Sequence, residues 1–476
     1  MSFKTYKWSF IERLTVQFIQ LLIIIIISRF VTPSQFGLFG LSAVVISISQ
    51  VFVDSGFSAA LIRKKNQNQS ELSSVFYINI AIALLCIAMI FIFAPLAELY
   101  FKVLGLSELA RVASIVVLIN AIAVVPKVIL TTDLDFKSQA SASLIAVLLS
   151  GVVSVTMAIH GYGAMALVAQ IVSYNLVNTS LLLFKSRWHP SLIFNSKAIC
   201  ELSNFSLKLL FSGLIDALYQ NLYVVFIGRF MSVYDVGIFT QGKRLSDIPA
   251  LTITNALQRA NLASMSRLSE ESTLKEYTIK SLKMSMFLMA PAMFFLSCIA
   301  EPLIHLLMGD KWIASGMIMT ILSISGVFYP LHVLNQNILI IKGHSGYHLK
   351  LEILKKIVGI ALIIITIQHG LLWLCIGIFV HALLSVFINA NYSKTLIDIS
   401  IVTQIKLCMA PILLSLAAAI LSLYFQHLPF SFDETRLNNV KDIFVSVAAF
   451  AWVFGLAVIV FYRKSIKTVL NKLTKA

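Results

Sequence analysis

Runs of about 20 consecutive apolar residues recur from one end of this sequence to the other, and each is long enough to cross a bilayer as a helix. In hydrocarbon every backbone N–H and C=O must be satisfied internally, so only helices or closed barrels can span. The runs here are continuous and not alternating, which selects helices. Spans are predicted at 9–29, 37–62, 75–100, 112–133, 141–160, 162–184, 205–228, 238–264, 282–308, 315–341, 352–368, 370–392, 404–426 and 441–462. Over 476 residues the chain is 59% hydrophobic and only 12% charged, which excludes a water-soluble fold. The first run carries Glu12 and Arg13 and has no small-residue cleavage pattern after it, so it reads as a retained helix and not a signal peptide.

One stretch occurs twice. Ser28-Arg29-Phe30-Val31-Thr32-Pro33-Ser34-Gln35-Phe36-Gly37-Leu38-Phe39 returns two hundred positions later as Gly228-Arg229-Phe230-Met231-Ser232-Val233-Tyr234-Asp235-Val236-Gly237-Ile238-Phe239, and Gln20 falls opposite Gln220. Each copy lies between two apolar runs, so each is expected to be a tight turn in which Gly37 or Gly237 supplies backbone freedom. A duplication this long predicts pseudo-symmetric halves. Six spans separate equivalent points, an even number, so the halves are parallel repeats. The expected fold is an all-α polytopic membrane protein. It has six-helix lobes at 1–200 and 201–400 around a central cavity, then two additional helices and a basic tail at 401–476.

Orientation follows from lysine and arginine in the short loops. With a cytoplasmic N-terminus that side collects most of the 37 cations, including Arg63, Lys64, Lys65, Lys185, Arg187, Lys342, Lys350, Lys355, Lys356 and the tail from Arg463 to Lys475. The opposite loops hold Arg29, Lys102, Arg111, Arg229, Lys311, Arg436 and Lys441. Both termini are then expected in the cytoplasm. The formal charge of +16 becomes a consequence of topology, with anionic lipid headgroups and not nucleic acid as the neighbours of the basic loops.

Much chemistry is excluded. The longest predicted loops, Lys185 to Asn204 and Ser266 to Ser281, are too short to fold as domains, which weighs against an enzyme with an extramembrane catalytic face. No metal-spaced His or Cys cluster, phosphate-binding glycine loop or nucleophile elbow occurs, and no cofactor or metal is implied. The histidines fall mostly at helix ends and in loops, where a solvated or interfacial role is expected. Cys86, Cys200, Cys298, Cys375 and Cys408 lie in apolar runs or on the cytoplasmic side, so no disulfide is predicted.

What remains is polar residues inside the spans, where a central charge costs roughly 2.5–3.5 kcal/mol on insertion scales. They form stripes at helical spacing: Ser9, Arg13, Gln17 and Gln20; Ser47, Gln50, Asp54 and Ser58; Asn120, Lys127 and Thr131; Asp216 and Gln220 beside Asn221; and Thr240, Lys243, Arg244 and Asp247. Together they predict a hydrated cavity between the lobes. Each also has a plainer reading. Arg13 is close enough to a helix end to snorkel, Lys243 and Arg244 could pair locally with Asp247, Asp54 could be a structural clamp, and the glutamines could be interhelical hydrogen-bond glue. Lys127 is deep, follows Pro126, and has no acidic residue three or four positions away.

These residues carry a resemblance. The start, through Arg29-Phe30, Thr32-Pro33-Ser34-Gln35-Phe36-Gly37-Leu38 and Asp54-Ser55-Gly56-Phe57-Ser58-Ala59-Ala60-Leu61-Ile62-Arg63, resembles the Wzx-type polysaccharide repeat-unit flippases, near the colanic-acid exporter branch. Trp188-His189-Pro190, Ile227-Gly228-Arg229-Phe230, Ser266-Arg267-Leu268 and Gly309-Asp310-Lys311-Trp312 agree in order and spacing up to about residue 400. One departure is Leu262, where the family pattern leads one to expect a proline and a kink.

The resemblance implies a bacterial inner-membrane transporter of the multidrug/oligosaccharidyl-lipid/polysaccharide superfamily. Its substrate would be an undecaprenyl-pyrophosphate-linked oligosaccharide, moved from the cytoplasmic to the outer leaflet by alternating access, with a polymerase and a chain-length regulator as partners. On that reading Lys127, Arg13, Lys243 and Arg244 would meet the pyrophosphate, Gln17, Gln20, Asn120, Gln220 and Asn221 would line the cavity, and Asp54, Asp216 or Asp247 would couple an ion gradient. Two rivals stand beside it: a cation-coupled multidrug antiporter using Asp54 and Asp216, and a membrane-embedded polymerase, which should carry a large external loop.

Overall fold

The computed structural model describes residues 3–54, 56–64, 67–268, 270–426 and 435–461, with the side chains of 3–14, 345, 435–436 and 457–461 excepted. It divides into two compact units, Met1–Gly237 and Ile238–Ala476. Unit 1 comprises α1 (Phe3–Phe30), α2 (Pro33–Asp54), α3 (Phe57–Arg63), α4 (Gln69–Phe101), α5 (Leu106–Ala113), α6 (Ile115–Thr132), α7 (Phe136–Ile159), α8 (Ala164–Ser186) and α9 (Ser196–Phe230). α10 (Val233–Met265) leads into unit 2, followed by α11 (Glu271–Cys298), α12 (Ala300–Met308), α13 (Ile313–Gly326), α14 (Tyr329–Ile341), α15 (Ser345–Ile367), α16 (Leu371–Ile397), α17 (Ile401–Gln426) and α18 (Thr435–Phe461). No strand occurs among the described residues.

Among the described residues, each predicted span is occupied by one helix or by two in succession. Eleven spans among the described residues are long and apolar enough to cross a membrane, and Thr15–Phe30 is a shorter apolar helix. α10 and α15 are as long but too polar to count on composition, because α10 carries Lys243, Arg244 and Asp247 and α15 carries Lys350, Glu352, Lys355 and Lys356. The chain is an all-α polytopic membrane protein.

Four expectations are corrected. The span at 37–62 is not one helix: it breaks after Asp54, where Gly56 takes φ 75°. A Cβ there would lie 2.7 Å from the Ser206 carbonyl oxygen, so a glycine is needed both for the left-handed backbone and for the approach of α9. The spans at 282–308 and 315–341 are also divided, at Ile299 and at Val327–Phe328. In each case a proline follows closely. Pro302 and Pro330 lack the N–H that would have bonded the carbonyls of Cys298 and Gly326, so the helical ladder is interrupted there.

The fourth correction concerns the repeated turn. Gly37 and Gly237 both lie within helices and neither has positive φ, so backbone freedom is not what they supply. The turns are made instead by reciprocal capping boxes. Gln35 N donates to Thr32 Oγ1 (3.4 Å) while Thr32 N donates to Gln35 Oε1 (3.0 Å). In the second copy Asp235 N donates to Ser232 Oγ and Ser232 N donates to Asp235 Oδ2, both at 3.1 Å. The glycines serve a close approach of the two helix starts.

Packing in unit 1 follows the small-residue logic of membrane helices. α1 lies on α7, where a Cβ on Gly151 would stand 2.6 Å from Ile23 Cδ1. α2, α4, α5, α6 and α8 enclose Val53, Ala83, Ala113, Val117, Ala121 and Val168. The segment joining α8 to α9 is tied to the start of α4: Trp188 Nε1 donates to Gln69 Oε1 (2.8 Å), and Asn195 N donates to Ser74 Oγ (2.8 Å). In unit 2, α11 is central and its Met286, Met289 and Met293 are fully buried. α17 and α18 pack on one another and on α11 and α12, contributing Ala418 and Phe450 to that core.

Candidate substrate cavity

Unit 1 contains a cavity of about 860 Å³. Its walls come from five elements: α2 (Gln50, Asp54), α3 (Ser58, Ala59, Ile62), α6 (Asn120, Ala123, Lys127, Thr131), α7 (Phe136, Gln139, Ser143) and α8 (Tyr174, Asn175, Asn178). The break at Gly56, which itself lines the space, lets α3 turn away from α2 and brings both Asp54 and Ser58 to the wall. An unwound helix at the wall of a cavity is tolerated in a membrane because the freed backbone does not face lipid.

The polar side chains are partly engaged with one another. Asn120 Nδ2 donates to Gln50 Oε1 (2.7 Å), and Gln50 Nε2 reaches Asp54 Oδ1 (3.4 Å), so an amide chain runs from α6 to the carboxylate of α2. Gln139 Nε2 donates to Thr131 Oγ1 (3.3 Å), joining α7 to α6. Asn175 Nδ2 is occupied by the Ile171 carbonyl of its own helix (2.7 Å). Asn178 Oδ1 is buried and has no hydrogen-bond partner. The two charges, Asp54 and Lys127, line the same space. Lys127 thus has no carboxylate on its own helix but shares the cavity with one from α2.

Of the residues expected at a site, Asp54, Asn120 and Lys127 line this cavity, joined by Gln50, Ser58 and Thr131 of the same stripes. Gln17 and Gln20 sit half-buried on α1, which packs on α7, and are not among the lining residues. Arg13 lies in α1 with its side chain outside the described residues. On α9, Asn221 donates to Ser47 Oγ of α2 (2.9 Å), an interhelical hydrogen bond of the plain kind, while Asp216 and Gln220 are exposed. In unit 2, Lys243 pairs with Asp247 one turn along α10, Tyr329 of α14 hydrogen-bonds the same carboxylate, and Arg244 is half-buried.

Sequence reasoning missed the walls supplied by α7 and α8. Gln139 and Ser143, like Tyr174 and Asn178, are four apart and so share a helix face, a pattern that could have been read as the others were. It also missed a polar cluster in unit 2. Lys355, expected on the cytoplasmic side as a loop cation, has a side chain only 9% exposed and is paired with Glu352, which accepts from Gln336 Nε2 (2.6 Å). His332 and His381 depart from the solvated or interfacial role expected of most histidines and lie half-buried in α14 and α16: Asn389 contacts His332 Nδ1 (3.2 Å), and His381 Nε2 meets the Lys355 carbonyl (2.9 Å). Among the described residues no group of three or more His, Cys, Asp or Glu side chains could hold a metal, and the cysteines are free.

The many membrane-spanning helices and the polar cavity that they wall define a polytopic membrane protein with an internal polar site. Residues 26–316 match the model of the polysaccharide biosynthesis protein family, and the chain belongs to that family. It is similar to the succinoglycan biosynthesis transport protein ExoT of Rhizobium meliloti (strain 1021), with 26% identity over 68% of this chain and 66% of that one, so the match spans just under two thirds of ExoT. The lipopolysaccharide biosynthesis protein WzxC of Escherichia coli (strain K12) is 21% identical over 75% of this chain and 74% of its own. In structure the chain resembles the lipid II flippase MurJ in an inward closed conformation, with a TM-score of 0.76, 15% identity, and coverage of 98% of this chain and 100% of that one. At that identity the likeness establishes the fold.

Proposed function

We propose that this protein moves lipid-linked oligosaccharide repeat units of a surface or secreted polysaccharide across the bacterial inner membrane, from the cytoplasmic to the outer leaflet, by alternating access. The observation that carries this is the amide- and hydroxyl-rich cavity, walled by membrane helices of a chain in the polysaccharide biosynthesis family. A sugar headgroup cannot enter hydrocarbon unaided, because each hydroxyl stripped of water without a partner costs several kcal/mol, on the order of 4–8 on a cyclohexane scale. A cavity that offers replacement partners while the polyprenyl chain stays in lipid removes that cost.

On this reading the protein translocates without making or breaking covalent bonds, its two halves are parallel repeats, and both termini face the cytoplasm, where the basic loops meet anionic headgroups. A polymerase and a chain-length regulator would act on the delivered units. The test is export in a cell deleted for its own repeat-unit flippase. Expression of this protein should restore surface polymer and clear the lipid-linked units that accumulate on the inner leaflet. Restored polymerisation of units presented to purified protein in detergent would instead favour an enzyme.

A further inference from the structure

Among the described residues, the charged groups that line the cavity of unit 1 are Asp54 and Lys127, one of each sign. A pyrophosphate diester carries two negative charges and no hydrogen to donate, so it needs cations and N–H or O–H donors, and it is repelled by a carboxylate. The lining has amide and hydroxyl donors but a single cation, and that cation is offset by a carboxylate. Asp54 is acceptor-only when ionised, and Asn178 Oδ1 is a buried acceptor without a protein partner. An unpaired buried acceptor is unfavourable, and a donor that reaches it, water or a ligand hydroxyl, relieves it.

We propose that this cavity binds the sugar part of the lipid-linked unit and not its pyrophosphate, with Asn178 Oδ1 and Asp54 accepting hydrogen bonds from hydroxyls of uncharged sugar residues. The inference rests on the flippase reading above and assigns the cavity within it. A sugar hydroxyl both donates and accepts, so it can satisfy Asn178 and Asp54 while taking hydrogen bonds from Lys127 and Gln139. Phe136 and Tyr174 also line the space, and aromatic rings there suit the C–H edges of a pyranose. The volume falls within the roughly 300–1,000 Å³ typical of pockets that bury a ligand of a few rings. Lys127 here is offset by the opposite charge of Asp54 in the same wall, and the pyrophosphate stays outside these walls.

Two measurements test this. In the flippase-deleted cell, Asp54→Asn and Lys127→Met each leave one charge without its counterpart and should cut export at least fivefold. The double variant Asp54→Asn/Lys127→Met should export more than either single variant but less than wild type, because the charge imbalance is gone while the Lys127 contact to the sugar is lost, and detergent size-exclusion profiles establish that all three are folded. With purified wild-type protein, calorimetry is run against two probes: the free oligosaccharide released by mild acid from the host's lipid-linked pool, and inorganic pyrophosphate. The oligosaccharide should bind, Asn178→Leu should weaken it about tenfold, and pyrophosphate should neither bind nor compete. An inactive but folded double variant, or pyrophosphate binding that is lost in Lys127→Met, overturns the assignment while leaving the flippase reading intact. Failure of the wild-type protein to restore export removes the flippase reading, and the assignment with it.

Discussion

Gly37 and Gly237, two hundred positions apart in sequence, meet back to back: a Cβ on Gly37 would stand 1.8 Å from the Val233 carbonyl oxygen, and one on Gly237 would stand 1.9 Å from that of Pro33. The obstacle in each case is backbone, which cannot rotate aside as a side chain can. The two contacts are near mirror images, so Gly37→Ala and Gly237→Ala should be equally harmful. Each should cost more than the roughly 1–3 kcal/mol of ordinary overpacking. Folded yield and melting temperature in detergent measure this. One tolerated variant beside one destructive variant would show that the two helix starts do not share a single contact.

The orientation predicts which face each loop occupies. In a cysteine-free background, Tyr162→Cys, at an exposed position between α7 and α8, and His369→Cys, between α15 and α16, should react with an impermeant thiol reagent applied to intact cells. Gln67→Cys and Gly346→Cys should react only after the membrane is opened. Gly346 has free space around it, so that substitution carries no steric penalty. The reverse labelling pattern would invert the protein.

Asp135 caps α7 by accepting from Ser138 N at 3.0 Å, and the Ser138 hydroxyl and N–H hold its carboxyl below the usual range for an aspartate. A depressed folded-state pKa means that the charged cap stabilises fully above the unfolded value, near pH 4, and that this contribution is lost as pH falls through the folded one. Asp135→Ala should therefore cost about 1 kcal/mol at neutral pH. Its gap from wild type should narrow in acid. Asp135→Asn, which caps without charge, should show a smaller gap. Denaturation midpoints at pH 7 and pH 3.5 decide it.

The paired Glu352 and Lys355 of α15 make a further prediction, because Lys355 has almost no access to solvent. Glu352→Gln strands a buried ammonium and should destabilise by about 3–5 kcal/mol, whereas Glu352→Gln with Lys355→Met removes both charges and should recover most of that loss. Equal melting temperatures for the single and double variants would mean that Lys355 does not depend on Glu352.

Much of this architecture is local and therefore legible. The length and continuity of the apolar runs dictate membrane helices, since hydrocarbon leaves the backbone no alternative, and the duplicated Thr32-to-Gln35 and Ser232-to-Asp235 signals specify where two of them begin. The stripes on α2 and α6 are equally local, because helical spacing alone puts Gln50 with Asp54 and Asn120 with Lys127. What a single helix cannot express is what its face meets. The sequence by itself determined the class of fold, the loop charges and half of a polar surface. Only the tertiary structure decided that Asp54 of α2 shares a cavity with Lys127 of α6, that α7 and α8 complete the walls, that Gly37 is needed for contact with Val233 and not for its own φ, and that Lys355 is buried beside Glu352. The physical reason is the same in each case: helix propensity and hydropathy act over a few turns, whereas the partner of a charge or the obstacle to a Cβ arrives from a segment tens to hundreds of residues away, which only packing brings near.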